Sequence, residues 1–128
     1  ADVGTLQRLP HLIPQGLVRE LAYTGRNMPS IEAKECGFVN QVFADQKSML
    51  KAVMKIATQI AMHSPMAVSG CKEMINYTRD HSVSDSLNYM ATWQSGMLQM
   101  PDVNEAMTAG QEKRLPVYSE LHKKSSGM

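Results

Sequence analysis

The sequence predicts a mainly α-helical chain. Three observations carry that reading. Apolar residues recur at three- and four-residue spacing in the segments that follow Asp45. Strong helix-start signals punctuate them: Ser64-Pro65 places Ser at an N-cap with Pro behind it, and Ser82-Val83-Ser84-Asp85 fits a capping box. The one β candidate is FVNQVF, residues 38–43, which alternates enough for a short strand or an extended segment.

Taken in order, residues 5–9 form a short helical turn stopped by Pro10, and residues 11–15 form a loop around a second proline. Residues 16–24 form a helix with Leu17, Leu21 and Val18 inward, ended by Gly25. Ser30 caps IEAKEC, and Gly37 ends it. Asp45 caps the clearest amphipathic helix. Met49, Leu50, Val53, Met54, Ala57, Ile60 and Ala61 share one side, and Lys47, Lys51, Lys55 and Gln59 the other. The helix after Ser64 carries Val68, Cys71, Ile75 and Thr78 on one face. The helix after Ser82 is apolar on two sides, with Leu87, Met90, Ala91 and Met97 on one and Tyr89 and Trp93 on the other, as expected of a helix held between neighbours. Pro101 opens a last helix through Arg114, with Asp102 and Glu105 in its early turns, and Pro116 stops it. The regions are 1–44, a leading and connecting segment; 45–120, helical; and 121–128, a disordered tail.

Composition narrows the function classes. A chain of 128 residues is one domain by length, with the core-forming content of a globular protein. A net charge of +1 supplies no field for nucleic acid, so no nucleic-acid partner is expected. The apolar runs are too short for a membrane span, and the first residues lack a signal-peptide pattern. Cys36 and Cys71 are distant and read as reduced thiols of an intracellular protein. His11, His63, His81 and His122 are scattered, so no metal is expected. Eleven methionines against two phenylalanines suit either an irregular core or an adaptable apolar pocket. Arg79-Asp80-His81-Ser82 has the letters of a catalytic triad, but adjacent residues point apart, so Ser82 reads as a helix cap.

The first ten residues, ADVGTLQRLP, resemble the end of the active-site segment of dienoyl-CoA isomerases in the crotonase (enoyl-CoA hydratase/isomerase) superfamily. ECGFVNQVF, HSPMAV, YTRDHSVSDSLNYMATW and SGMLQM resemble successive blocks of the same branch, and EKRLPVY resembles the wider superfamily's tail. GTLQRLP and SPMAV are superfamily-level signals. ADVG and RDHSVSDSLNYMATW are sharper, since related hydratases typically carry Gly where Asp2 sits.

The resemblance implies that the chain is the C-terminal helical region of a crotonase-type α/β spiral fold, with residues 1–44 as the end of the spiral core. It implies an enzyme of fatty-acid β-oxidation that converts a 3,5-dienoyl-CoA into a 2,4-dienoyl-CoA. A CoA thioester is the substrate, no other cofactor is needed, and homo-trimers or hexamers form through the helical region. Two carboxylates then move the protons while N–H donors hold the dienolate oxygen. Asp2 is implied as one of those carboxylates; its other reading is a helix cap. The family's second carboxylate and its oxyanion donors lie upstream of the position of Ala1, so the chain alone is expected to be inactive. Lys113 matches a lysine that reaches CoA phosphates, or is a solvated lysine at a helix end. The aromatic residue that often precedes that lysine in hydratases is replaced by Gly110. Trp93, Met97 and Met100 line the acyl pocket, a subunit interface or an ordinary core. The other readings are an enoyl-CoA hydratase or another crotonase-type isomerase, and a short assembly module without activity. The implied location is mitochondrial or peroxisomal in a eukaryote and cytoplasmic in a bacterium. The SGM ending is not an SKL-type address.

Overall fold

The computed structural model describes residues 3–98 and 100–121. The elements are α1 (Thr5–Arg8), a 3-10 turn (Leu9–His11), α2 (Gln15–Thr24), α3 (Ser30–Glu35), α4 (Gln46–Ala61), α5 (Pro65–Tyr77), α6 (Val83–Met97) and α7 (Met100–Glu112). The chain is therefore mainly α, and no strand occurs among the described residues. Asp2 and residues 122–128, which hold most of the expected disordered tail, lie outside them.

The expected strand at 38–43 is corrected for a local reason. Gly37 adopts φ 81, and the N–H groups of Phe38 and Val39 both turn back to the Ala33 carbonyl at 2.8 and 3.1 Å. With the Gly37 N–H on the Lys34 carbonyl, this is a Schellman ending of α3. The first two donors that a strand would offer a partner are consumed in closing the helix.

The chain divides into two compact units, Ala1–Ala52 and Val53–Met128. In the first, α1 ends at Arg8, just before Pro10 as expected, and the chain continues as a 3-10 turn in which the missing N–H of Pro10 has no bond to make. Ile13, Val18 and Ala33 are the buried apolar side chains of this unit. Gly25, at φ 65, ends α2 with its N–H on the Leu21 carbonyl. Ser30 is the first residue of α3 rather than its cap; Pro29 holds the cap position in extended backbone with no side-chain bond. Arg26 takes over the tethering. Its guanidinium meets Glu32 at 2.6 Å and Glu20 at 2.7 Å, fastening the turn to α2 and α3. Those hydrogen bonds, to Glu32 above all, raise the Arg26 pKa, and the bond from Arg26 holds the Glu32 carboxyl below its ordinary range.

Asp45 does cap α4, accepting the Ser48 N–H at 2.7 Å, and that bond draws its pKa down. The amphipathic stripe of α4 is present but uncovered: Leu50, Val53, Met54 and Ile60 all remain exposed.

In the second unit, Ser64 caps α5 by accepting the Ala67 N–H, with Pro65 behind it. Ser82 caps α6, accepting the Asp85 N–H at 3.1 Å while its hydroxyl donates to the Asp85 carboxylate. This confirms the cap reading of Arg79-Asp80-His81-Ser82. His81 lies flat on Tyr77, ring centroids 3.7 Å apart, and its Nδ1 faces the Tyr77 carbonyl and Asp80. The α5 face that carries Val68, Cys71, Ile75 and Thr78 is only partly covered: Val68 is half-buried, and Cys71 and Thr78 are exposed. Met66, Gly70, Met74 and Tyr77 turn inward, whereas Ile75 is 68% exposed. On α6, Tyr89 and Trp93 turn inward and Leu87 outward. Tyr89 joins the two helices through its ring against Tyr77 and its hydroxyl on Glu73, a bond that raises the Tyr89 pKa together with burial. No helix among the described residues is long and apolar enough to cross a membrane.

Candidate functional site

The second unit holds an open, largely apolar cavity of about 690 Å³. Its walls come from every helix of the unit. The start of α5 gives Met66, Ala67, Gly70 and Cys71, and α6 gives Met90, Trp93, Gln94 and Met97. Leu98, then Asp102, Val103 and Ala106 of α7, form a third wall. Ile60, His63, Ser64 and Val68 close the end at the α4–α5 turn, and Tyr118 closes another side.

Two local arrangements shape it. A Cβ placed on Gly70 would meet the six-membered ring of the Trp93 indole, its Cζ2 and Cζ3 at 2.8 Å. The absence of a side chain at Gly70 therefore lets the indole lie against α5. Ser64 donates its hydroxyl to Asp102 while serving as the α5 cap. The starts of α5 and α7 are thus tied to one another across 38 residues of sequence.

Beyond the cavity, α7 ends in a Schellman turn. The Arg114 N–H reaches the Ala109 carbonyl at 3.0 Å and the Lys113 N–H the Gly110 carbonyl at 3.4 Å. Lys113 occupies the left-handed position, φ 54, which usually belongs to glycine. Arg114 then folds back on Glu105 at 2.5 and 2.9 Å and on Glu112 at 2.5 Å, while Glu105 also accepts the Val117 N–H at 2.8 Å. These bonds, led by Arg114, hold the Glu105 carboxyl down at about 2 and raise the guanidinium.

Among the sequence candidates, Trp93 and Met97 therefore face one cavity. Lys113 and Met100 do not line it. Asp2 lies outside the described residues. Gly70, Tyr118 and the Ser64–Asp102 pair carry no functional reading in the sequence. A glycine inside a helical pattern is the available signal for Gly70, since it marks close approach. Nothing in the sequence couples Ser64 to Asp102. Chemically, the arrangement suits hydrocarbon: mostly apolar walls with a few polar groups among them. Asp102 is the one carboxylate among the described lining residues, and Ser64 occupies it. No group of three His, Cys, Asp or Glu side chains placed to hold a metal ion occurs among the described residues.

The family model described as enoyl-CoA hydratase/isomerase matches residues 1–121. The chain belongs to the enoyl-CoA hydratase/isomerase family. Within it, the chain is 50% identical over 115 residues to the mitochondrial Δ(3,5)-Δ(2,4)-dienoyl-CoA isomerase of Mus musculus, covering 89% of this chain and 35% of that protein. It is 42% identical to the peroxisomal Δ(3,5)-Δ(2,4)-dienoyl-CoA isomerase of Arabidopsis thaliana, covering 94% of this chain and 44% of that one. An enoyl-CoA hydratase from Bacillus anthracis is similar in structure, with a TM-score of 0.83 and 36% identity over 90% of this chain and 44% of that structure. The chain thus spans between about a third and just under half of these relatives.

Proposed function

We propose that the chain is the C-terminal helical part of a dienoyl-CoA isomerase that shifts 3,5-dienoyl-CoA to 2,4-dienoyl-CoA in fatty-acid β-oxidation. The observation that carries the reading is the 50% identity to a dienoyl-CoA isomerase across 89% of this chain. The apolar cavity at Trp93 and Met97 supports it, as the place where the hydrocarbon end of the substrate lies.

In this mechanism a base removes a proton from the carbon beside the thioester carbonyl, and the electrons move into an enolate conjugated with both double bonds. An acid then returns a proton farther along the conjugated chain, so atoms and charge balance over the cycle. Asp2 is one of the two carboxylates. Its partner, and the N–H donors that hold the enolate oxygen, belong to the spiral core that precedes this region in the family. Lys113 reaches the CoA phosphates from the left-handed turn after α7. The exposed apolar residues of α4 and α6 pack in a homo-trimer, or in a hexamer of paired trimers.

The test compares the chain alone with the same residues grafted in place of the matching segment of the mouse isomerase. With a 3,5-dienoyl-CoA and absorbance of the conjugated product as readout, the graft is expected to turn over and the chain alone is not. Removing a single oxyanion donor lowers turnover by about 10²–10³, and the chain alone lacks the set assigned to the core. An inactive but folded graft rejects the reading. A graft that hydrates 2-enoyl-CoA instead favours the hydratase alternative.

A further inference from the structure

We propose that Glu105 is a positioning residue, and that through it Tyr118 sets how long an acyl chain the cavity admits. The inference rests on the reading of the cavity as an acyl site. Glu105 follows Asp102 by one helical turn on α7, and its partners all lie beyond the end of that helix. Arg114 meets its two oxygens at 2.5 and 2.9 Å, and the Val117 N–H meets one of them at 2.8 Å. A single carboxylate thus fastens both ends of residues 114–117. The segment folds back from the Lys113 turn as an extended strap. Leu115 and Val117 are 67% and 79% exposed, while Pro116 and Tyr118 are half-buried, the alternation of extended chain. The inward position at 118 is the one that reaches the cavity wall.

An extended segment with no neighbouring strand is otherwise free to fray, because its backbone groups are equally well served by water. The charge-assisted bonds that Glu105 accepts join residue 117 to α7, while the Arg114–Glu112 pair and the Arg114 N–H on Ala109 hold only the segment's first residue. The carboxyl is held down at about 2, so the clamp is charged at every physiological pH and forms a permanent wall rather than a pH-gated lid. A ring at that wall stops an apolar chain short. Each further methylene that finds room is worth roughly fourfold in affinity, the transfer of one CH₂ out of water.

Trp93 is the sole tryptophan and lines the same cavity, so its emission reports occupancy in the full chain. The probes are octanoyl- and tetradecanoyl-pantetheine thioesters, which carry the acyl chain without the nucleotide. Tyr118→Ala is expected to raise the affinity for tetradecanoyl over octanoyl by about 10-fold, the discrimination of an apolar pocket for added methylenes. Tyr118→Phe, which keeps the ring, is expected to leave the ratio within about twofold. Glu105→Gln and Arg114→Gln open the same clamp from its two sides. Both are expected to shift the ratio in the direction of Tyr118→Ala and to speed amide exchange at Val117. An unchanged ratio in Tyr118→Ala overturns the role of Tyr118. An unchanged ratio in both clamp variants, with Tyr118→Ala shifted, overturns that of Glu105. If the wild-type chain binds neither thioester, the acyl reading of the cavity fails and the inference falls with it.

Discussion

Gly70 of α5 and Trp93 of α6 are packed so closely that a β-carbon at Gly70 would stand 2.8 Å from two carbons of the indole. The contact lies on the cavity wall and sets how near the two helices come. Gly70→Ala gains helix propensity of about 1 kcal/mol. It also forces a rigid ring away, at about 1–3 kcal/mol for overpacking. The overlap involves three indole carbons rather than the end of a flexible chain, so the clash is expected to win. Thermal denaturation is expected to show a net loss of about 1 kcal/mol, and a smaller loss or a gain when Trp93→Leu is already present. Equal effects in both backgrounds would mean that the two residues do not bear on each other.

The Glu105 clamp sets a pH dependence. Its carboxyl lies at about 2 in the folded chain against an ordinary 4.5, with Arg114 as the main cause and the Val117 N–H next. A depressed carboxyl stabilises the fold above its ordinary value, and that contribution disappears as pH falls from 4.5 through about 2. The melting temperature of wild type is therefore expected to fall more steeply than that of Glu105→Gln across this window, with the curves converging at its acid end. High salt is expected to narrow the gap, since the pair is partly exposed. Parallel curves would count against the clamp.

Lys113 separates stability from binding. A non-glycine residue at φ 54 costs about 1–2 kcal/mol. Lys113→Gly is expected to raise stability by about 1 kcal/mol in thermal denaturation. In the grafted enzyme it is also expected to weaken CoA binding measured by calorimetry, more so at low salt, because one phosphate-facing charge is gone. A stabilised variant with unchanged CoA affinity would show that Lys113 only ends the helix.

Much of this architecture is legible in the sequence. Asp45, Ser64-Pro65 and Ser82 announce α4, α5 and α6 because a cap is a local event, complete within four residues. Trp93 and Met97 enter as cavity candidates only through the family resemblance, because large apolar residues serve a core or a subunit interface equally well. The failures come from distance or from choosing by hydrophobicity. The inward face of α5 runs through Gly70, which no hydrophobic pattern selects, and Ile75 is left outside. FVNQVF alternates like a strand, yet Gly37 diverts its first donors into the end of α3. The Ser64–Asp102 and Glu105–Val117 bonds join residues that only folding brings together.

The uncovered apolar residues give an expectation about association. Val53, Met54 and Ile60 of α4 and Val83 and Leu87 of α6 are exposed, and apolar surface on that scale seeks a partner. Sedimentation at roughly tens of micromolar is expected to show trimers or larger species, with Leu87→Lys shifted toward smaller ones. A stable wild-type monomer under those conditions would contradict the trimer.

The most direct test of the central claim is Asp2→Asn in the grafted isomerase. The substitution keeps the shape and removes the titratable group, so folding and CoA binding are expected to stay near wild type. Turnover of 3,5-dienoyl-CoA is expected to fall by roughly 10²–10⁴, the usual effect of losing an acid or base. Activity within a factor of a few of wild type would show that Asp2 moves no proton, and would contradict the assignment of this chain to a dienoyl-CoA isomerase site.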